Sequence, residues 1–204
     1  MKKIQGTLVC ALMVGALASW ERDVRAEPRT HDGFQFRGTA GLGYLGDSES
    51  LGGLSDNIHG VAGTSEFFFG GTLADGFSLG GYLGFTVAPG PSVSYGNGQR
   101  SVASSDVNLN FFTIGPYVDY YLDPHEGLHF LATVGFADLN VSNGGSSSDA
   151  ATGFGIGAGV GYDWWVSDNW SLGVLGRFQY AHMTLNGASE NAISPTVAFS
   201  FNYQ

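Results

Sequence analysis

From Phe154 to Trp164 the apolar residues Phe154, Ile156, Ala158, Val160, Tyr162 and Trp164 alternate with Gly153, Gly155, Gly157, Gly159, Gly161 and Asp163. A period of two sends successive side chains to opposite faces of a strand. Here one face takes every bulky apolar group and the other takes almost none. The same alternation recurs along the chain, and its last run holds Val197, Phe199, Phe201 and Tyr203. Eight such segments are predicted as strands, over 34–45, 58–70, 77–88, 107–121, 128–139, 153–166, 170–183 and 192–203. Each runs about twelve residues. At roughly 3.3 Å per residue and a tilt near 40°, that length crosses a hydrocarbon layer of about 30 Å.

The connections alternate in length. Asp75-Gly76, Asp123-Pro124 and Ser167-Asp168-Asn169 mark tight turns, whereas 46–57, 89–106, 140–152 and 184–191 read as longer loops rich in Gly, Ser, Asn and Asp. Turns at one end and loops at the other, with an even strand count, allow the last strand to pair antiparallel with the first. The predicted fold is therefore all-β: an eight-stranded antiparallel up-and-down transmembrane β-barrel. Pro116 and the doublet Phe111-Phe112 are where a bulge is expected to shift the register.

The greasy face is assigned to lipid. Aromatics gather near the turn ends (Phe34, Phe69, Phe77, Tyr120, Trp164, Trp170, Tyr203) and more sparsely near the loops (Tyr44, Phe85, Phe136, Phe154, Tyr180). Two belts of this kind suit the two membrane–water interfaces. A soluble barrel with that face turned inward is the rival arrangement, but an eight-stranded barrel has barely room for its own interior side chains. It has no space for so many rings.

Lys2 and Lys3 precede the apolar run Leu8 to Ala18, the layout of a secretory signal peptide, with cleavage after Ala26 or after Ala18. The expected organisation is a leader over 1–26 and a barrel domain over 27–204. The single cysteine, Cys10, belongs to the leader, and beyond it the basic residues are Arg29, Arg37, Arg100 and Arg177. With a formal net charge of −10, the chain is a poor partner for nucleic acid, whose affinity rests on Lys and Arg.

The leader, the eight strands, the short turns, the long loops and the aromatic last strand together resemble small outer-membrane barrels of the OmpA and OmpX type. That resemblance implies a cell outer membrane of Gram-negative type, extracellular loops, periplasmic termini and a monomer. It implies lipid and lipopolysaccharide as surroundings, and the outer-membrane assembly machinery as the reader of Phe199, Phe201 and Tyr203. Gln204 follows that last aromatic, a departure from the usual pattern. Fold alone does not choose among structural, adhesive and enzymatic members of such a group.

Inward parity assigns Arg37, Glu66, Asp119, His129, Asp163 and Arg177 to the interior, joined by Tyr82, Tyr117 and Gln179. A buried charge is costly unless paired. If the first hairpin is symmetric about its loop, Arg37 faces Glu66, and the set forms a polar plug rather than a conducting gate. The inward glycines of 153–161 are expected to make room for bulky interior groups. A weaker reading is faintly similar to outer-membrane lipid A deacylases: His182 as base, Thr184 as hydroxyl and Glu190 as acid. Thr stands where that family has Ser, and Leu185 where it has Asn. The acids Asp47, Glu49, Asp56, Asp106, Asp149 and Glu190 read as solvated loop residues, or as carboxylates able to share divalent cations with lipopolysaccharide. No cofactor and no dedicated metal site is expected. The leading expectation is a non-enzymatic structural or surface-interaction protein, with a lipid-modifying hydrolase and a narrow channel as alternatives.

Overall fold

The computed structural model describes residues 31, 33–51, 54–95, 99–104, 106–144 and 146–204. The leader, with its two cleavage sites and Cys10, lies outside the described residues. Eleven strands form: β1 (Phe34–Leu51), β2 (Leu54–Ala74), β3 (Phe77–Pro89), β4 (Ser92–Ser94), β5 (Arg100–Val102), β6 (Val107–Tyr121), β7 (Leu128–Asn143), β8 (Ser146–Ser147), β9 (Ala151–Trp165), β10 (Trp170–Leu185) and β11 (Ala188–Tyr203). The eight long strands run β1-β11-β10-β9-β7-β6-β3-β2, and β2 pairs back to β1. All these pairings are antiparallel, so the eight long strands close into a barrel. The start of β1, the end of β11 and the tight turns lie at one end, called here the turn end. The opposite end is the loop end.

Two predicted loops are not loops. The ladders of β1–β2 and β10–β11 continue through Leu51↔Leu54 and Leu185↔Ala188, so 46–51 with 54–57, and 184–185 with 188–191, are paired strand that rises above the barrel. The second closes on Asn186-Gly187, both at positive φ (49° and 86°), which is the two-residue turn whose twist matches the flanking strands. Asparagine and glycine tolerate that conformation at little cost. Alternation alone stopped short because 46–57 and 184–191 are polar on both faces, and polar residues hide a strand's period. Between β3 and β6, β4 and β5 form a small hairpin that extends the sheet beyond β2.

The register through β6 is unbroken: its pairing with β3 is continuous from Phe77↔Tyr120 to Pro89↔Asn108. The bulge expected near Phe111-Phe112 and Pro116 does not occur, and Phe111 points inward while Phe112 points outward. Pro116 is accommodated instead by a gap in the ladder with β7, which passes from Ile114↔Phe136 to Tyr117↔Thr133. Its missing N–H faces that gap. The irregularity lies elsewhere, between Thr72 and Ala74 on β2.

Face assignment is as predicted. Phe154, Ile156, Val160, Tyr162 and Trp164 stand outward, Phe154 at 55% and Trp164 at 53% exposure, while Gly155, Gly161 and Asp163 are buried inside. Both aromatic belts are outward as well, Phe34, Phe69 and Trp170 at the turn end, Tyr44, Phe85 and Phe136 at the loop end. The interior is stratified. Most buried charges lie in the turn-end half beside a small cluster of Phe68, Tyr82, Tyr117, Leu131 and Leu175, and a larger apolar cluster including Leu45, Leu109, Phe111, Leu139 and Met183 lies in the loop-end half. Among the described residues no helix is long and apolar enough to cross a membrane. Strands are what span here.

Candidate functional site: a charged interior

Arg37 enters the barrel from β1 near the turn end and is 1% exposed. Its Nη1 lies 2.9 Å from Asp119 Oδ2, and its Nη2 lies 3.0 Å from Asp163 Oδ2. Nη2 also donates to Tyr121 Oη at 2.6 Å, and Nε donates to Asn202 Oδ1. The guanidinium fork thus spends its donors on partners from β6, β9 and β11. Tyr121 passes its own hydroxyl proton toward Asp163 Oδ2 at 2.6 Å, and Ser200 donates to Asp163 Oδ1 at 3.1 Å. Gln35 donates to Asp119 while accepting from Tyr117.

One arginine therefore meets two carboxylates. His129 sits between them, Nδ1 2.7 Å from Asp119 Oδ1 and Nε2 3.7 Å from Asp163 Oδ2. With Nδ1–H given to Asp119, its 3.3 Å approach to Arg37 is contact and not a hydrogen bond. A second, separate pair sits higher in the interior. Arg177 from β10 reaches Glu66 on β2 and donates to Thr133 at 2.7 Å. Its guanidinium also lies over the rings of Phe68 and Tyr82, at 5.6 and 5.2 Å.

The six predicted interior residues are all inward, but in two groups. Arg37 does not face Glu66. The register of the first hairpin sets Arg37 opposite Phe68 and Thr39 opposite Glu66, because Leu51 pairs with Leu54. A loop taken as 46–57 centres one residue earlier, and that moves every cross-strand partner by two. Glu66 is neutralised across the lumen by Arg177 instead.

Glycine makes this packing possible. A Cβ on Gly161 would strike the His129 ring, and one on Gly157 would lie 2.6 Å from Thr133 Oγ1 and 2.9 Å from Arg177 Nη2. The bare face of β9 is thus the space taken by His129 and Thr133 on β7 and Arg177 on β10.

His31, which precedes β1, was not anticipated as a site residue. It is fully buried, bonds through Nδ1 to the Gln204 side chain, stacks on Tyr121 (3.5 Å between centroids) and lies tilted against Trp165 (4.5 Å). Gln204, the departure from an aromatic end, is inward and held by Asn169 through its backbone. Burial lowers the His31 pKa to about 4, against the smaller raising effect of the Gln204 bond. His31 Nε2 has no partner, so a proton there would be stranded. The docked form thus binds its proton more weakly than the released form at 6.5. Docking is fully stabilised above pH 6.5, weakens as pH falls toward 4, and loses no more below that. NMR titration of the His31 ring should place its midpoint near 4, with Trp165 emission changing over the same range and unresponsive in His31→Ala. A midpoint at 6.5 would refute the buried position.

His182 and Thr184 share the outward face of β10, whereas Glu190 points inward from β11. His182 Nδ1 lies 3.0 Å from Asn191 Oδ1, which also accepts from Tyr180 Oη. The structure does not bring His182, Thr184 and Glu190 together. Asp47 and Glu190 are buried inside the loop-end mouth, rather than solvated. Among the described residues, no group of three His, Cys, Asp or Glu is placed to hold a metal ion.

A family model described as "Outer membrane protein beta-barrel domain" matches residues 7–203. The chain belongs to this family. Its outer-membrane location follows from that membership and from the outward belts. Among solved structures, the Neisserial surface protein A is similar at 17% identity and a TM-score of 0.53, covering 82% of this chain and 96% of that one. The outer-membrane protein OprG from Pseudomonas aeruginosa is similar at 10% identity and 0.51, covering 87% and 98%. At such identities these barrels share the fold with this family member and nothing finer. No curated protein matches the chain in sequence.

Proposed function

We propose that the protein is a non-enzymatic outer-membrane barrel that works through its loop-end surface, with that end outside the cell and both termini in the periplasm. The observation that carries this reading is the filled interior. Arg177 bound to Glu66, with Phe68 and Tyr82 against it, crosses the lumen, and the apolar cluster around Leu109 and Phe111 lies beyond it. A barrel of this size has little space left over. The pairs are then a structural plug, and Phe199, Phe201 and Tyr203, all outward at the turn end, serve the assembly machinery.

Two measurements test this. In planar bilayers the wild type should give no stable unit conductance; regular steps whose size changes in Glu66→Ala would overturn the plug. For orientation, Asn186→Cys at the loop end should react with a membrane-impermeant maleimide in intact cells. Asp168→Cys at the turn end should react only after permeabilisation. Both sites are exposed, and the reverse pattern would invert the assignment.

A further inference from the structure

The outward wall of the barrel is apolar up to Tyr44 and Tyr180, and then changes character. One register row beyond Ile193 carries polar side chains on neighbouring strands. His182 on β10 stands opposite Asn191 on β11, Asn191 opposite Ser48 on β1, and Ser48 opposite Asn57 on β2. The row continues into the small hairpin, where Asn57 stands opposite Ser94 and Ser94 opposite Arg100. Residues directly opposite in antiparallel strands share a face, so these six groups form one strip. It crosses β10, β11, β1, β2, β4 and β5.

The strip is open to a ligand in three respects. Ser48, Asn57 and His59 with Tyr44 and Asn191 line a groove of about 250 Å³, and His59 is also the wall of an adjoining groove that reaches Ser94 and Arg100. Gly46 forms part of the floor, because Tyr44 folds across it: a Cβ there would lie 2.7 Å from the tyrosine ring. Second, Asn191 Oδ1 already accepts from Tyr180 and contacts His182, which leaves its Nδ2 hydrogens to donate elsewhere. Third, the carboxylates at this level of the same strands take the opposite, inward parity, Asp47 and Glu190 buried and Glu49 opposite both Glu190 and Asp56, and Arg100 forms no salt bridge among the described residues.

Position and chemistry then select the occupant. A polar row just past an aromatic belt sits at headgroup depth, where a surrounding lipid presents its polar end. Amide, hydroxyl and imidazole groups in a line match the hydroxyls of a sugar. A lone guanidinium at one end matches a phosphate, which it can bind through paired N–H donors. We propose that this strip binds the phosphorylated sugar headgroup of a glycolipid in the surrounding leaflet, sugar along Asn57, Ser48 and Asn191 and phosphate toward Arg100. This rests on the proposed orientation, in which the loop end meets the outer leaflet.

Native mass spectrometry of the full chain, refolded in glycolipid-free micelles, tests the site independently of orientation in cells. The probes are a diphosphorylated diglucosamine lipid, its dephosphorylated form, and phosphatidylglycerol. Asn57→Ala combined with Asn191→Ala should weaken both glycolipids at least tenfold. Arg100→Ala should weaken the phosphorylated one alone, and heat-modifiable mobility should show all variants folded. Wild-type affinity in both variants would overturn the proposal, as would phosphatidylglycerol binding equally well and with the same sensitivity to Asn57 and Asn191. A failure here leaves the maleimide result standing, and an inverted maleimide pattern leaves the micelle affinity measurable.

Discussion

Arg37→Ala is expected to be the most damaging single truncation in the interior, costing about 3–5 kcal/mol or preventing refolding outright. The reason is what it leaves behind. Asp119 and Asp163 are 0% and 2% exposed, and the guanidinium lies within 3.0 Å of both. Without it, the two buried carboxylates lose their guanidinium partner, and Tyr121 and Asn202 lose a donor each. Urea titration in micelles, read by heat-modifiable mobility, measures the loss. Adding Asp119→Asn and Asp163→Asn to Arg37→Met should recover a large part of it, because the cost lies in stranded charge more than in the pair's own attraction. If Arg37→Ala unfolds at the wild-type urea concentration, the interior contacts described here are not what holds the turn end.

Much of this was legible in the sequence, and the limits have physical causes. Alternation placed all eight barrel strands and assigned Arg37, Glu66, Asp119, His129, Asp163 and Arg177 to the interior, because parity depends only on local geometry. Partnership does not. Arg37 meets Asp119 and Asp163 through strands that are not its neighbours, and Arg177 meets Glu66 across the lumen. Such meetings depend on strand tilt and stagger around the closed sheet, which no single segment records. The Arg37–Glu66 expectation failed on a smaller quantity, the centre of one turn. Tyr121 and Asn202 carried a usable signal, inward parity near the turn end, but an uncharged group among charges draws less notice. His31 carried none, since it precedes the first alternating run. The polar strip beginning at Asn57 and Ser48 was hidden for the opposite reason: residues polar on both faces looked like loop.

Val160→Arg should destabilise the bilayer-reconstituted protein by about 2–4 kcal/mol, the second largest effect expected. Val160 stands outward on β9, 49% exposed, between Phe130 on β7 and Gly176 on β10 and well inside both aromatic belts. A guanidinium there must snorkel or draw water and headgroups inward, because the strand offers no carboxylate on that face. The control is Val102→Arg. Val102 lies in β5 of the loop-end hairpin, is 75% exposed, and should accept arginine within about 0.5 kcal/mol, as surface sites away from special features do. Folding free energies in bilayers of fixed composition give both numbers. The comparison discriminates because the substitutions are chemically the same, and both sites are exposed in the isolated chain. Water would treat Val160 and Val102 alike; only a hydrocarbon solvent around β9 separates them. Equal tolerance at the two sites would mean that the outward face of Phe154, Ile156, Val160 and Trp164 is not solvated by acyl chains.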